Sequence, residues 1–136
     1  MQPTPRRSIT INSKGNLKMK NYKFKEINSN EDIIIDGNLI VEESIITTKS
    51  IQVKGSIKAG EFIKAGEFIK AGRYIKAGRY IEAGGYIKAG NDYGIYAGLN
   101  YKISEWKEFG FVTTKEKPKN LMTGYWKRNS KKQKTK

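Results

Sequence analysis

From Ile57 to Gly90 the chain reads IKAGEF, IKAGEF, IKAGRY, IKAGRY, IEAGGY, IKAG, almost one six-residue phrase repeated six times. A repeat this short is not a domain, a helical hairpin or a propeller blade. It fits one side of a wound β-solenoid, in which each coil buries its inner side chains only by stacking on its neighbours. The register extends upstream of the obvious copies. Steps of six back from Ile57 reach Ile51, Ile45, Leu39 and Ile33, and two residues after these stand Val53, Thr47, Val41 and Ile35. Such i, i+2 pairs are the period-two mark of a strand with one buried face. The array therefore runs from Ile33 to Ala89, ten hexads. After Gly90 the intrusion of Asn91-Asp92 delays the next copy, Ile95-Tyr96-Ala97-Gly98, by two residues.

Each position of the hexad has a reading. Ile fills the interior, and Ala two places on suits a narrow corner. The Gly that follows (Gly66, Gly72, Gly78) is expected where the chain turns and a positive φ is allowed. The intervening lysines (Lys58, Lys64, Lys70, Lys76, Lys88) face solvent. Three six-residue sides make an 18-residue coil, so the ten hexads give about three coils and a rod of ~15 Å at ~4.8 Å per rung. In that register Glu61 lies over Arg79, Lys64 over Glu82, Phe62 over Tyr80 and Phe68 over Tyr86. A two-sided coil of twelve residues pairs Glu61 with Arg73, Glu67 with Arg79 and Phe62 with Tyr74 nearly as well, but leaves little room for the inward Ile. The reading is all-β: a short three-sided β-solenoid of hexapeptide repeats over 33–98.

The chain has 136 residues, 27 basic and 13 acidic, for a net charge of +14. Residues 1–32 hold seven basic and three acidic groups, 33–98 nine and seven, and 99–136 eleven and three. The repeat array is close to neutral and the excess lies on the flanks. A basic excess of this size favours polyanions: nucleic acid, nucleoprotein or an anionic surface. The longest apolar runs, such as Ile33-Ile34-Ile35, are too short to span a membrane. The N-terminal MQPTPRRSIT has no apolar stretch behind its arginines, so no secretory signal is read and a cytoplasmic location is expected.

The flanks are read as caps. Residues 8–27 suggest a β-hairpin turning at Ser13-Lys14-Gly15-Asn16, with Leu17, Met19, Tyr22 and Phe24 on one face and Lys18, Lys20, Lys23 and Lys25 on the other. Within 1–32 that hairpin blocks the open edge of the first coil, and lysines on an edge strand also do this with no ligand at all. Residues 99–126 carry Trp106 and Trp126 with Phe109, Phe111 and Tyr125, and are expected to fold back over the last coil or form a dimer surface. The tail 127–136, KRNSKKQKTK, has six basic residues and no acid. It is expected to be disordered unless a polyanion orders it.

Catalytic chemistry is scarce. The chain has no His and no Cys. The general-base histidine of the left-handed β-helix acyltransferases and the zinc ligands of the related carbonic anhydrases are therefore missing. The hexads also depart from that family, since the position four after the aliphatic is Glu61, Glu67, Arg73 or Arg79 where the family carries a small residue. The handedness cannot be borrowed from it. No phosphate-cradling GxxxxGK[ST] occurs. An enzyme is not expected, nor a metal or cofactor. What remains is a column of rings, Phe62, Phe68, Tyr74, Tyr80 and Tyr86, interleaved with cations. Stacked bases beside cationic groups are how single strands are held without sequence reading, although rings stacked on rings at solenoid corners are the alternative. The candidate binding residues are Lys18, Lys20, Lys23 and Lys25; Lys70, Arg73, Tyr74, Lys76, Arg79 and Tyr80; and Lys127, Arg128, Lys131, Lys132 and Lys134.

The run SIKAGEFIKAGEFIKAGRYIKAG, followed by YAGLNYK, resembles small I-x-A-G repeat proteins encoded by phages and other mobile elements of low-GC bacteria. The resemblance covers residues 30–102. It implies a small, catalytically empty protein of the kind that binds and blocks host machinery, anti-CRISPR proteins among them. The expectation is a non-enzymatic binder of nucleic acid or of a nucleoprotein such as an RNA-guided nuclease. The alternative is a structural or self-assembling solenoid acting through protein contacts, and a homodimer is compatible with either.

Overall fold

The computed structural model describes residues 9–11 and 20–128. The chain winds as a β-solenoid of about six turns. The first coil comprises β1 (Ile9–Ile11), β2 (Asn21–Phe24) and β3 (Ile27–Ser29), and the second β4 (Ile33–Ile35), β5 (Asn38–Val41) and β6 (Ile45–Thr47). The third holds β7 (Ile51–Val53), β8 (Ile57–Ala59) and β9 (Ile63–Ala65), and the fourth β10 (Ile69–Ala71), β11 (Ile75–Ala77) and β12 (Ile81–Ala83). The fifth coil is β13 (Ile87–Lys88), β14 (Ile95–Tyr96) and β15 (Phe111–Thr114). Before β15 a 3₁₀ turn (Ile103–Glu105) leads into the single-turn α1 (Trp106–Phe109). The last turn is incomplete: β16 (Leu121–Thr123) and β17 (Tyr125–Arg128).

Every third strand pairs in parallel, building three sheets. Sheet A is β1-β4-β7-β10-β13, sheet B runs from β2 through β5, β8, β11 and β14 to β16, and sheet C runs from β3 through β6, β9, β12 and β15 to β17. Ile57 registers with Ile75 and Ile63 with Ile81, so the regular coil is 18 residues and the two-sided alternative is excluded. All four expected stacking pairs form. Arg79 meets Glu61 and Lys64 meets Glu82 at 3.9 Å, while Phe62–Tyr80 and Phe68–Tyr86 stack with centroids 4.7 and 4.9 Å apart.

The hexad explains the core. The aliphatic position is fully buried from Ile33 to Ile81, and the Ala or Val two residues on is buried beside it. The residue between points outward, giving β4 and β7 to β10 a buried-exposed-buried pattern. Fully burying an isoleucine contributes about 1.5–3 kcal/mol, and an aliphatic is fully buried in this way on each side of the second, third and fourth coils. Glycine is needed after the Ala for a different reason from the expected one. Positive φ occurs at Gly98 (71°) and Gly124 (103°), and not at Gly60, Gly66 or Gly72. There the backbone packs against the coil before it: a Cβ on Gly60, Gly66 or Gly72 would collide with the carbonyl oxygen of Glu42, Thr48 or Lys54. Close approach, not turn conformation, excludes a side chain.

Two expectations about the ends change. The described parts of the expected N-terminal hairpin, β1 and β2, lie in different sheets, each parallel to its neighbour in the second coil. They form a further coil, because Tyr22 and Phe24 pack partly buried against the core as the aliphatic pairs do above them. The expected turn at 13–16 lies outside the described residues. At the other end, the expected cap of 99–126 adds β15, β16 and β17 to sheets B and C. β17 takes in Lys127 and Arg128, which the sequence reading placed in a disordered tail, because they pair in register with Thr113 and Thr114. The rod is thus about six turns long, roughly twice the length read from the repeats.

Candidate functional site

The outward position of each strand defines three surface columns. On sheet C it is Asn28, Ile46, Lys64, Glu82 and Thr113, where the charged neighbours offset one another. On sheet B it is Lys23, Ile40, Lys58, Lys76 and Tyr96. The Lys58–Lys76 pair sets like charges side by side, which is destabilising by itself. The Lys76 ammonium is, however, held 4.5 Å from the Tyr74 ring centroid and 5.6 Å from that of Tyr96. Facing aromatic faces of this kind stabilise a cation by about 0.5–1 kcal/mol at exposed sites.

Sheet A carries Ile34, Gln52, Lys70 and Lys88 outward. Lys70 and Lys88 are exposed, register directly on one another, and have neither ion pair nor ring partner among the described residues. Their repulsion is left standing. Two hollows open on this sheet, and Lys70 lines both. The first, about 460 Å³, runs past Ile34, Gln52 and Lys54 to Gly72. The second, about 420 Å³, lies beyond β13 and is lined by Tyr86, Lys88, Asn91 and the loop Glu116–Asn120.

The second hollow exists because sheet A is one strand short. Chain tracing from β15 to β16 passes from sheet C to sheet B and lays loop 115–120 across the vacant rung. The loop is pinned at both ends. Lys115 N–H donates to the Gly85 carbonyl at 3.1 Å, and Asn120 donates from its amide to Gly90 O at 3.2 Å. Pro118 is buried between exposed Lys117 and Lys119. Below it the edge of β13 is open. Ile33, Ile51 and Ile69 N–H each donate to a carbonyl of the next coil, at Ser50, Phe68 and Tyr86, and this bond has no counterpart at Ile87 among the described residues. Four lysines (70, 88, 117, 119) therefore surround a notch in which Glu116 is the one carboxylate among the described lining residues.

The sequence-predicted residues are spread over several faces. Lys23 is exposed on sheet B, with Lys20 and Lys25 flanking its strand at the N-terminal end. Arg73 is exposed at the corner beside Gly72, next to the sheet A groove, while Tyr74 shares that corner with Lys76. Arg79 is engaged by Glu61. Tyr80 is sandwiched between Phe62 and Phe111, both centroids 4.7 Å away, so neither face is open to a base. Burial pushes its phenol above the ordinary value, with Glu82 adding and Arg79 opposing. Lys127 caps the same column with its ammonium 4.2 Å over Phe111. Arg128 is exposed at the end of sheet C. Lys18, Lys131, Lys132 and Lys134 lie outside the described residues. Of the expected set, Lys70 alone lines the two hollows. Lys88, Lys117 and Lys119 are absent from that set, although Lys88 stands eighteen residues after Lys70 in the repeat and the KEKPK run (115–119) advertises the other two. Tyr86 enters the sequence reading only as a member of the ring column.

No protein-family model matches the chain, and neither a curated protein nor a solved structure does. Among the described residues no cluster of metal-ligating side chains forms and no helix is long and apolar enough to cross a membrane.

Proposed function

We propose that the protein is a non-enzymatic binder of polyanions, with single-stranded nucleic acid as the ligand class and the sheet A groove as its interface. The observation that carries this reading is the unrelieved Lys70–Lys88 pair at the junction of two hollows, with Lys117 and Lys119 leaning on the second. Several other cations on the solenoid have partners: Lys54 with Asp36, Lys64 with Glu82, Arg79 with Glu61, and Lys76 with two rings. The exposed Lys49, Lys58 and Arg73, which have none among the described residues, line neither hollow. A phosphate backbone would offset the repulsion that the fold leaves at sheet A. The resemblance to phage-encoded repeat proteins supports a narrower reading, in which the bound strand belongs to an RNA-guided nuclease that the protein blocks.

The test is a salt titration of a fluorescent oligothymidine strand. Each phosphate neutralised adds about 0.7 to the slope of log affinity against log salt. A steep fall is expected; an affinity that does not change with salt refutes the reading. Self-association is the second reading, favoured by apolar exposure at the C-terminal end, where Leu99, Ile103, Met122 and Tyr125 are 49, 74, 60 and 43% exposed. Light scattering without nucleic acid distinguishes it through growth of particle mass with concentration.

A further inference from the structure

We propose that the notch beyond β13 is a nucleotide subsite, where one base stacks on Tyr86 and its phosphates lie on Lys88, Lys117 and Lys119. This deepens the proposed function and rests on it. The fold carries its own template for the site. At the corner between sheets B and C, the Phe62–Tyr80 stack is continued by a third ring, Phe111, at 4.7 Å and 7° from parallel, and Lys127 lies over that ring. At the corner between sheets C and A the same column begins with Phe68 on Tyr86, 4.9 Å apart and 3° from parallel, and then stops. No third ring stacks on Tyr86 among the described residues. It is 47% exposed and lines the notch.

The vacancy follows from the same missing rung that opens β13. One column has its third aromatic supplied by the chain, and the other has a hollow of about 420 Å³ there, within the size range of small-molecule sites. A planar group would continue the stack, and the lysines require that group to be anionic. A nucleotide meets both conditions. The unpaired N–H of Ile87 and the side chain of Asn91 add polar contacts at the floor and rim. An acidic peptide would satisfy the lysines but would leave the Tyr86 face uncovered.

The test compares an oligothymidine strand with an abasic strand of equal length and charge, by fluorescence anisotropy on the full chain. Stacking of a base on an aromatic ring contributes about 1–3 kcal/mol, which corresponds to roughly 5- to 150-fold in affinity. Wild type is expected to prefer the thymidine strand by a factor in that range. Tyr86→Ala is expected to abolish the preference while keeping the abasic affinity, and Tyr86→Phe to retain it. Equal wild-type affinity for the two strands, or a preference that survives Tyr86→Ala, overturns the subsite and leaves the polyanion reading standing. Tighter binding of polyglutamate than of either strand assigns the notch to an acidic peptide and overturns the subsite. Absence of salt-dependent binding of both strands overturns both. The wild-type comparison needs no variant to fold.

Discussion

Replacing Lys70, Lys88, Lys117 and Lys119 together by Gln removes the four cations that line the notch and leaves the core untouched. If each meets one phosphate of a single strand, the slope of log affinity against log salt flattens by about 2.8, at about 0.7 per contact. Between roughly 50 and 200 mM salt that difference amounts to about 50-fold in affinity. The control removes four charges elsewhere: Lys20, Lys23, Lys25 and Lys58, all exposed on or beside sheet B. Both variants carry the same net charge, so a ligand that senses only overall charge weakens equally on the two. The groove variant is expected to lose most of the slope and the control little of it, read by anisotropy on the same oligothymidine strand. Equal flattening in the two refutes a localised interface. Flattening only in the control moves the interface to sheet B.

The architecture gives further outcomes. Ile63→Ala empties a fully buried site and is expected to cost about 2–5 kcal/mol in urea unfolding, whereas Ile103→Ala, 74% exposed, should stay within about 0.5 kcal/mol. Gly66→Ala sets a Cβ against the Thr48 carbonyl and is expected to destabilise by about 1–3 kcal/mol as overpacking does; an unchanged melting temperature contradicts the close-approach argument. Tyr80 is neutral in the fold and its pKa is raised by burial. Its contribution is therefore complete below the unfolded value of about 10 and is lost as pH rises through the folded value. Tyr80→Phe should thus hold its melting temperature better than wild type above about pH 10, and parallel loss in both proteins would remove the desolvated phenol from the account.

The middle of the solenoid was readable in the chain because its spacing is uniform. An 18-residue step places Glu61 on Arg79 and Phe62 on Tyr80 before any coordinates exist, and both contacts form. The ends were misread where the step varies. Tyr22 registers with Leu39, seventeen residues on, and Ile9 with Ile33, twenty-four on, so the first coil hides as an apparent hairpin. Ile75 registers with Ile95 and Ile81 with Val112, because the corners between them hold longer loops. Those loops decide the candidate site. The jump from β15 to β16 that omits a strand of sheet A has no signature in the hexad periodicity, yet it creates the notch and sets Lys117 and Lys119 of the KEKPK run around the hollow that Lys88 lines. Ring stacking likewise answered a question the sequence left open, since Tyr80 is held between two rings while Tyr86, in the matching position one corner on, has one ring partner among the described residues and stays 47% exposed.

The most direct measurement is a titration of isotope-labelled protein with the oligothymidine strand, followed by amide chemical shifts. The account predicts that perturbations concentrate on Lys70, Tyr86, Ile87, Lys88, Glu116, Lys117, Lys119 and Asn120, with sheet C unchanged. Perturbations centred on sheet B or sheet C, or shifts that spread evenly over all exposed lysines, would contradict it.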